Sequence, residues 1–510
     1  MREPSPTRIK CGTGVARNRY SLRMADYDLA IIGGGLNGVS IARDAAGRGL
    51  RVILLEQGDL GAAASSATSR VIHGNPALLE RKAFLRVRTA LAERGIWLRT
   101  APHLVRPMRF VIPAHSDERP FWLLRSWLLL YDWLASRTPL PSSSTIDVTH
   151  HPFGNALKRP IGTAFEYSDC IVDDSRLVIA NALDAAERGA AIHTGARCVR
   201  ADRLDTWRLA VIDRGLRRVI TARALVNATG AFAASVAETV LRLPLPPVGM
   251  AQNSQIIVRR LFETDNVYVF QNIDRQLIFA SPYERDFTLI GIVGRAFTGD
   301  PAIVAAAAGD VAYLCDAANR YFRERIEPSD VIGTVSAANT IIDPAGKRGD
   351  GWMTFDAKRG KAPLLMSFGG DVTTARLRAE RAVSRLSPFY PMSPPWTATS
   401  ALPGGDFAPE SFENEVDSAR ERWRFLTEAQ ARRLVGAYGS RLGGVLGNVA
   451  SQAELGPAFG PELTGAEVRY LMAHEWARFP DDVLWRRSKL GLTMPPQDRE
   501  ALAAFMAATG

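Results

Sequence analysis

The chain has 510 residues, 46% hydrophobic and 23% charged, with a formal net charge of +10. Such a length predicts about three domains or one large two-domain fold. The balance is that of an ordinary globular protein and excludes wholesale disorder, a collagen-like repeat and a disulfide-rich miniprotein.

Half of the basic excess lies in residues 1–24, where Arg2, Arg8, Lys10, Arg17, Arg19 and Arg23 face one acid, Glu3. This segment lacks the apolar stretch of a secretory signal. It reads as a transit-like leader or as an over-long start ahead of Met24, and is set aside from the fold. Tyr27–Ile32, YDLAII, is a buried-strand pattern running into Gly33-x-Gly35-x-x-Gly38. A helix is predicted after it, then a strand over Arg51–Leu55 that ends in Glu56, 23 residues after Gly33. Strand, glycine turn, helix, strand and acid is the dinucleotide-binding pattern. The first glycine makes the tight turn, the second admits a pyrophosphate, and the third lets the helix pack on the sheet. Glu56 is placed to accept from a ribose hydroxyl, which favours FAD or NAD over NADP.

Phe121–Ala135 is the nearest approach to a membrane span, but Arg125 and Asp132 interrupt it well below the ~20 apolar residues required. It reads equally as an interfacial helix, with Arg119, Arg125 and Arg137 above the apolar face, or as a core helix. Asp173-Asp174 predict a helix cap before Ser175. Cys198–Val219 predicts an antiparallel meander leading into the buried strand of Ala224–Gly230. Residues 252–294 predict the sheet of a second domain, and PLLMSFGGDVTTARLRAERAV a strand, Gly-Gly turn and helix. A proline- and glycine-rich linker spans 393–407, and 408–510 reads as a helical domain. Cys11, Cys170, Cys198 and Cys315 have neither disulfide-framework nor zinc spacing, so no metal site and a reducing compartment are expected.

The blocks IIGGGLNGVSIARDAAGRGL, SSATSRVIHG, APHLVRPMRF, FEYSDCIVDDSRLVIAN, ALVNATGAF, GKAPLLMSFGG, SALPGG and HEWARFPDDVLWRRSKLGL resemble the FAD-dependent, membrane-associated glycerol-3-phosphate dehydrogenases from Tyr27 to about residue 495. The resemblance implies an α/β fold: a Rossmann-like FAD-binding domain (segments 25–110, 165–232 and 360–390) interleaved with a mixed, largely antiparallel substrate-domain sheet (about 245–345), plus the all-helical C-terminal domain. The whole oxidoreductase region would be 25–392. It implies FAD as cofactor, a polyol or polyol phosphate as substrate, hydride transfer to flavin N5 and quinone as electron acceptor. It also implies a peripheral position on the inner face of the cytoplasmic membrane, an anionic membrane surface as partner, and a homodimer. No nucleic acid is expected, since no basic stripe with interleaved aromatics appears beyond the leader.

The resemblance adds Ser65, Ser66, Ala228, Gly230, Gly370 and Thr373 to Gly33, Gly35, Gly38 and Glu56 as cofactor-binding residues. His73 is the candidate catalytic residue, either a proton acceptor near the substrate carbon or a structural histidine in the FAD loop. The substrate side departs from the family. Ala77 and Asn339 stand where it has arginines, Asp371 where it has a lysine beside the flavin, and Leu78 where it has a tyrosine. Gln255 and Gly294 replace a histidine and an aspartate. A phosphate is best held by charge-assisted bonds, each worth about 1.5–3 kcal/mol. The expected activity is oxidation of glycerol 3-phosphate or a related polyol, with altered specificity or an impaired, flavin-binding pseudoenzyme as the alternative unless Arg295, Arg376 or Arg378 re-enters the pocket. Arg106 and Arg109 read as buried or interface arginines.

Overall fold

A computed structural model of the chain describes residues 25–113, 121–135, 139–158, 162–244, 248–342 and 351–509. The expected leader with Cys11, and Arg119 and Arg137, lie outside the described residues.

β1 (Tyr27–Ile32) has its last four residues buried, as a continuous apolar run in a doubly covered parallel sheet should. It lies parallel between Leu216–Asn227 and β2 (Val52–Glu56). Across this sheet the order is Trp352–Asp356, Leu364–Phe368, Leu216–Asn227, β1, β2 and Ala191–Thr194. The expected meander is Ala196–Arg203 and Trp207–Asp213, paired antiparallel with each other and onto Leu216–Ala222. Three helices share one side: α1 (Leu36–Gly47) packs against Asp174–Glu187 and Ala375–Ser384 around Val39, Ala42, Ile179 and Val383. Asp173 caps the second of them, its carboxylate accepting from the Arg176 N–H at 3.1 Å.

The second sheet has nine strands. Five come from the expected stretch: Gly249–Arg259, Asn266–Gln271, Leu277–Tyr283, Phe287–Phe297 and Gly333–Ile342. The others are Val71–Ile72, Val105–Pro113, Ser144–Asp147 and Thr163–Val172. Val105–Pro113 joins the two groups by running parallel to Asn266–Gln271. Three of these four strands lie wholly or mostly in stretches that the sequence assigns to the cofactor domain. Their apolar side chains pair across the second sheet instead, where Phe110, Phe165 and Tyr167 form its core with Leu128 and Tyr131.

Helices Phe412–Arg422, Glu428–Tyr438, Gly465–His474 and Pro496–Thr509 enclose a separate core that includes Val416, Leu434, Leu471 and Leu502. Buried charges join this bundle to the rest. Arg176 pairs bidentately with Glu475 and donates to the Ala437 carbonyl at 2.7 Å. Asp59 receives Arg486 and Arg487, the latter at 2.5 and 2.8 Å. Lys489 donates to the Ser175 hydroxyl at 2.6 Å. Among the described residues no helix is long and apolar enough to cross a membrane.

Candidate active site

The turn after β1 needs its glycines. Gly33 has φ +109°, and a Cβ there would lie 2.7 Å from the Ala228 carbonyl. A Cβ on Gly38 would lie 1.9 Å from the Gly33 carbonyl, so no other residue lets α1 approach the sheet this closely. Gly35 stands at the N-cap of α1 without a side-chain cap, and the first turn holds no acid. That end therefore offers N–H groups and positive dipole to a diphosphate. The Leu36 N–H is held by the Ser65 hydroxyl at 2.9 Å, whereas Ser66 bonds back to the Ala63 carbonyl at 3.2 Å. Glu56 accepts from the Gly34 N–H at 2.7 Å and the Gly58 N–H at 2.8 Å. Burial pushes its carboxyl up, and the backbone donors pull it back. Each carboxylate oxygen retains a second lone pair for a ribose hydroxyl.

A second group closes over this turn. Asn37 donates to the Gly369 carbonyl at 2.9 Å. Gly369 and Gly370 have φ +59° and +108°, and a Cβ on Gly369 would sit 2.4 Å from the Thr340 carbonyl. The Thr340 hydroxyl reaches the Gly230 carbonyl at 3.4 Å. Ala228, Gly230, Gly369 and Gly370 thus meet α1 where the two sheets approach. Thr373 ties the turn to the candidate base: its hydroxyl accepts from the His73 N–H at 3.1 Å, and its carbonyl accepts from buried Trp97 at 2.9 Å. Burial holds the His73 imidazole below its ordinary pKa, with Arg94 adding to the effect and Asp169 and Asp371 opposing it. A neutral imidazole is the form that can accept a proton. The next residue is fixed as well, because the Gly74 N–H donates to the Tyr131 hydroxyl at 2.8 Å. Tyr131 in turn donates to Asp169 at 2.8 Å, and Arg94 pairs with the same carboxylate at 2.6 Å.

On the substrate side, Gln255, Gly294 and Asn339 lie on three adjacent strands: Asn253 faces Gly294 on one side and Ala337 on the other, and Ala251 faces Asn339. Gln255 donates to the Thr68 carbonyl at 2.9 Å. Ala77 sits in the short turn Pro76–Leu78 behind Asn75, whose φ is +55°. The Asp371 carboxylate accepts from the Thr374 N–H at 2.7 Å and from its hydroxyl at 3.0 Å. Its charge therefore turns into the start of the Ala375–Ser384 helix. Of the arginines expected to compensate, Arg376 is buried against Glu93 at 2.6 and 2.8 Å, and Arg295 pairs with buried Asp310. Only Arg378 reaches the Gly-Gly turn, donating to the Asn37 side chain at 2.9 Å and the Asp371 carbonyl at 2.7 Å. Arg109 is occupied by Glu166, and Arg106 lies 5.7 Å over the Phe412 ring at the helical bundle.

Reasoning from sequence missed Asn37, Thr340 and Tyr131, and named Arg378 only as one of three arginines that could re-enter the pocket. Asn37 was visible inside the glycine motif. The pairing of Arg378 with Asn37 was not, since the two are 341 residues apart.

A parallel sheet with an uncapped glycine-turn helix and a ribose acceptor, set against a large mixed sheet, defines a dinucleotide-dependent oxidoreductase. Comparison with known proteins makes the class specific. The model of the FAD dependent oxidoreductase family matches residues 28–375, and that of the C-terminal domain of alpha-glycerophosphate oxidase matches 396–509. A glycerol-3-phosphate dehydrogenase of Pseudomonas aeruginosa is 42% identical, covering 94% of this chain and 95% of that one. A D-erythritol 1-phosphate dehydrogenase of Brucella abortus is 39% identical over 94% and 97%. In fold, the chain is similar to the FAD complex of a glycerol-3-phosphate dehydrogenase from Bacillus halodurans, with a TM-score of 0.70, 19% identity and coverage of 95% and 94%. The chain belongs to the FAD-dependent oxidoreductase family, and FAD is its cofactor.

Proposed function

We propose that the chain oxidises a secondary alcohol of a polyol phosphate, glycerol 3-phosphate or a longer relative, and passes the electrons to quinone. The 42% and 39% identities to enzymes named for two such substrates, over nearly the whole chain, carry this reading. FAD, when bound, supplies the acceptor for the hydride. Gly33, Gly35, Gly38 and the start of α1 hold its diphosphate, Glu56 its ribose, and Ser65, Ser66, Ala228, Gly230, Gly370 and Thr373 line the remainder. Neutral His73, fixed through its backbone by Thr373, takes the proton of the substrate hydroxyl. Residues 25–392 form the oxidoreductase unit and 408–510 the helical one. The test is anaerobic bleaching of the flavin band by a panel of polyol phosphates, free polyols and amines. No bleaching by any polyol phosphate would overturn the reading.

A second reading rests on Ala77, Asn339 and Asp371: the substrate carries less negative charge than glycerol 3-phosphate. Bleaching by free polyols in preference to their phosphates would select it. Combining Ala77→Arg, Asn339→Arg and Asp371→Lys should then shift preference back to the phosphate.

We also infer a docking face for an anionic membrane. Along Phe121–Leu134, Leu128 and Tyr131 are buried while Trp122, Leu129 and Trp133 are 68%, 53% and 70% exposed. Exposed Phe84 and Leu85, flanked by exposed Arg81, Lys82, Arg86 and Arg88, open the neighbouring Phe84–Thr100 helix. Apolar side chains ringed by basic ones suit a headgroup boundary. Cosedimentation with vesicles containing anionic lipid, and its loss in neutral vesicles, tests it.

A further inference from the structure

Arg378 has only a long, half-exposed countercharge. Its side chain is 12% exposed, and the Asp371 carboxylate, itself 38% exposed, stays 3.9 Å away. The acceptors it does reach are neutral: the Asn37 side-chain oxygen at 2.9 Å, the Asp371 carbonyl at 2.7 Å and the Thr374 hydroxyl at 2.7 Å. Its Nε is buried with no acceptor. A desolvated guanidinium so placed is costly unless an anion completes it. The guanidinium also fills the space beside Gly370, where a Cβ would fall 2.2 Å from its central carbon. It therefore lies between α1 and the Gly-Gly turn, one helical turn behind the N-terminus of Ala375–Ser384.

We propose that Arg378 is the cationic partner of the flavin pyrimidine edge, a specific role for this chain in which positive charge enters from position 378 while position 371 holds an aspartate. Asn37 and Thr374 position the guanidinium, and Asp371 orients it through its carbonyl while its carboxylate holds Thr374, the residue before the helix. A fixed cation there stabilises the negative charge that the pyrimidine ring acquires on reduction. The inference rests on FAD occupying this cleft, which flavin absorbance of the purified protein checks separately.

The test uses sulfite, which adds to oxidised flavin and leaves the same ring anionic, so its affinity reads the local charge without turnover. It is titrated into FAD-loaded wild type, Arg378→Gln, Arg378→Lys and Asp371→Asn. Loss of one nearby unit charge should weaken sulfite binding by about tenfold in Arg378→Gln, equivalent to a two-electron midpoint potential about 30 mV more negative. Arg378→Lys should stay closer to wild type, and Asp371→Asn, which removes an anion and keeps an acceptor for the Thr374 N–H, should bind sulfite more tightly. Equal sulfite affinities in the Gln and Lys variants would overturn the proposal. So would a variant whose FAD affinity falls while sulfite affinity holds, because Arg378 would then serve the diphosphate.

Discussion

At the scale of the residue, the glycines give the sharpest expectation. Gly38→Ala must push α1 off the sheet to clear the Gly33 carbonyl. An overpacking cost of about 1–3 kcal/mol should leave the purified variant largely free of FAD, read as the ratio of flavin to protein absorbance; full retention would contradict the packing. His103 sets a pH dependence. Burial, reinforced by nearby Arg176, lowers its pKa to about 3. It is thus neutral in the fold, while the unfolded chain takes up a proton as pH falls through 6.5. Its contribution is intact above that pH and is lost at about 1.4 kcal/mol per unit on the way down. The melting temperature of wild type should therefore drop more between pH 7 and 5 than that of His103→Gln; equal drops would refute it. The motif residues were legible because a local turn makes their chemistry. His103 was not, because its burial depends on Gly404 and Phe407, three hundred residues later.

At the scale of the element, the Phe121–Leu134 helix has one face buried in the core and one exposed face that we propose docks on a membrane. Replacing Trp122, Leu129 and Trp133 together by serine should abolish vesicle binding and leave the melting temperature nearly unchanged, since these side chains are exposed; a large loss of stability would show that they pack in the core. On the opposite face, Tyr131→Phe strands the buried Gly74 N–H and one acceptor of Asp169. A stability loss of about 1–3 kcal/mol is expected, together with a lower turnover rate from a loosened His73 loop; unchanged stability and turnover would sink the link. The apolar pattern of this helix was readable, but not which reading held, because period alone cannot tell a lipid-facing stripe from a core stripe. Contact with Tyr167 and Asp169 places the Tyr131 face in the core; the vesicle experiment tests the other face. The nine-stranded sheet was only half legible for a related reason. Val105–Pro113 finds its partner Asn266–Gln271 far along the chain, and no local signal records that pairing.

At the scale of the whole molecule, ion pairs out of water join the helical bundle to the sheets. Breaking one by Glu475→Gln leaves Arg176 buried and undercompensated, at a cost of about 3–5 kcal/mol. Calorimetry should then resolve the bundle as a separate, earlier transition, and a single unshifted peak would argue against it. The order of strands in the parallel sheet carries a further consequence, for biosynthesis. β1 and β2 leave the ribosome first, yet β1 is completed by Leu216–Asn227, and that strand by Leu364–Phe368. The Gly-Gly turn that closes over α1 follows directly. A nascent chain halted before residue 364 cannot retain the cofactor, however complete its glycine motif. Flavin capture must wait until synthesis has passed the Gly-Gly turn at Gly369-Gly370, and until then the parallel sheet that carries the glycine motif is incomplete.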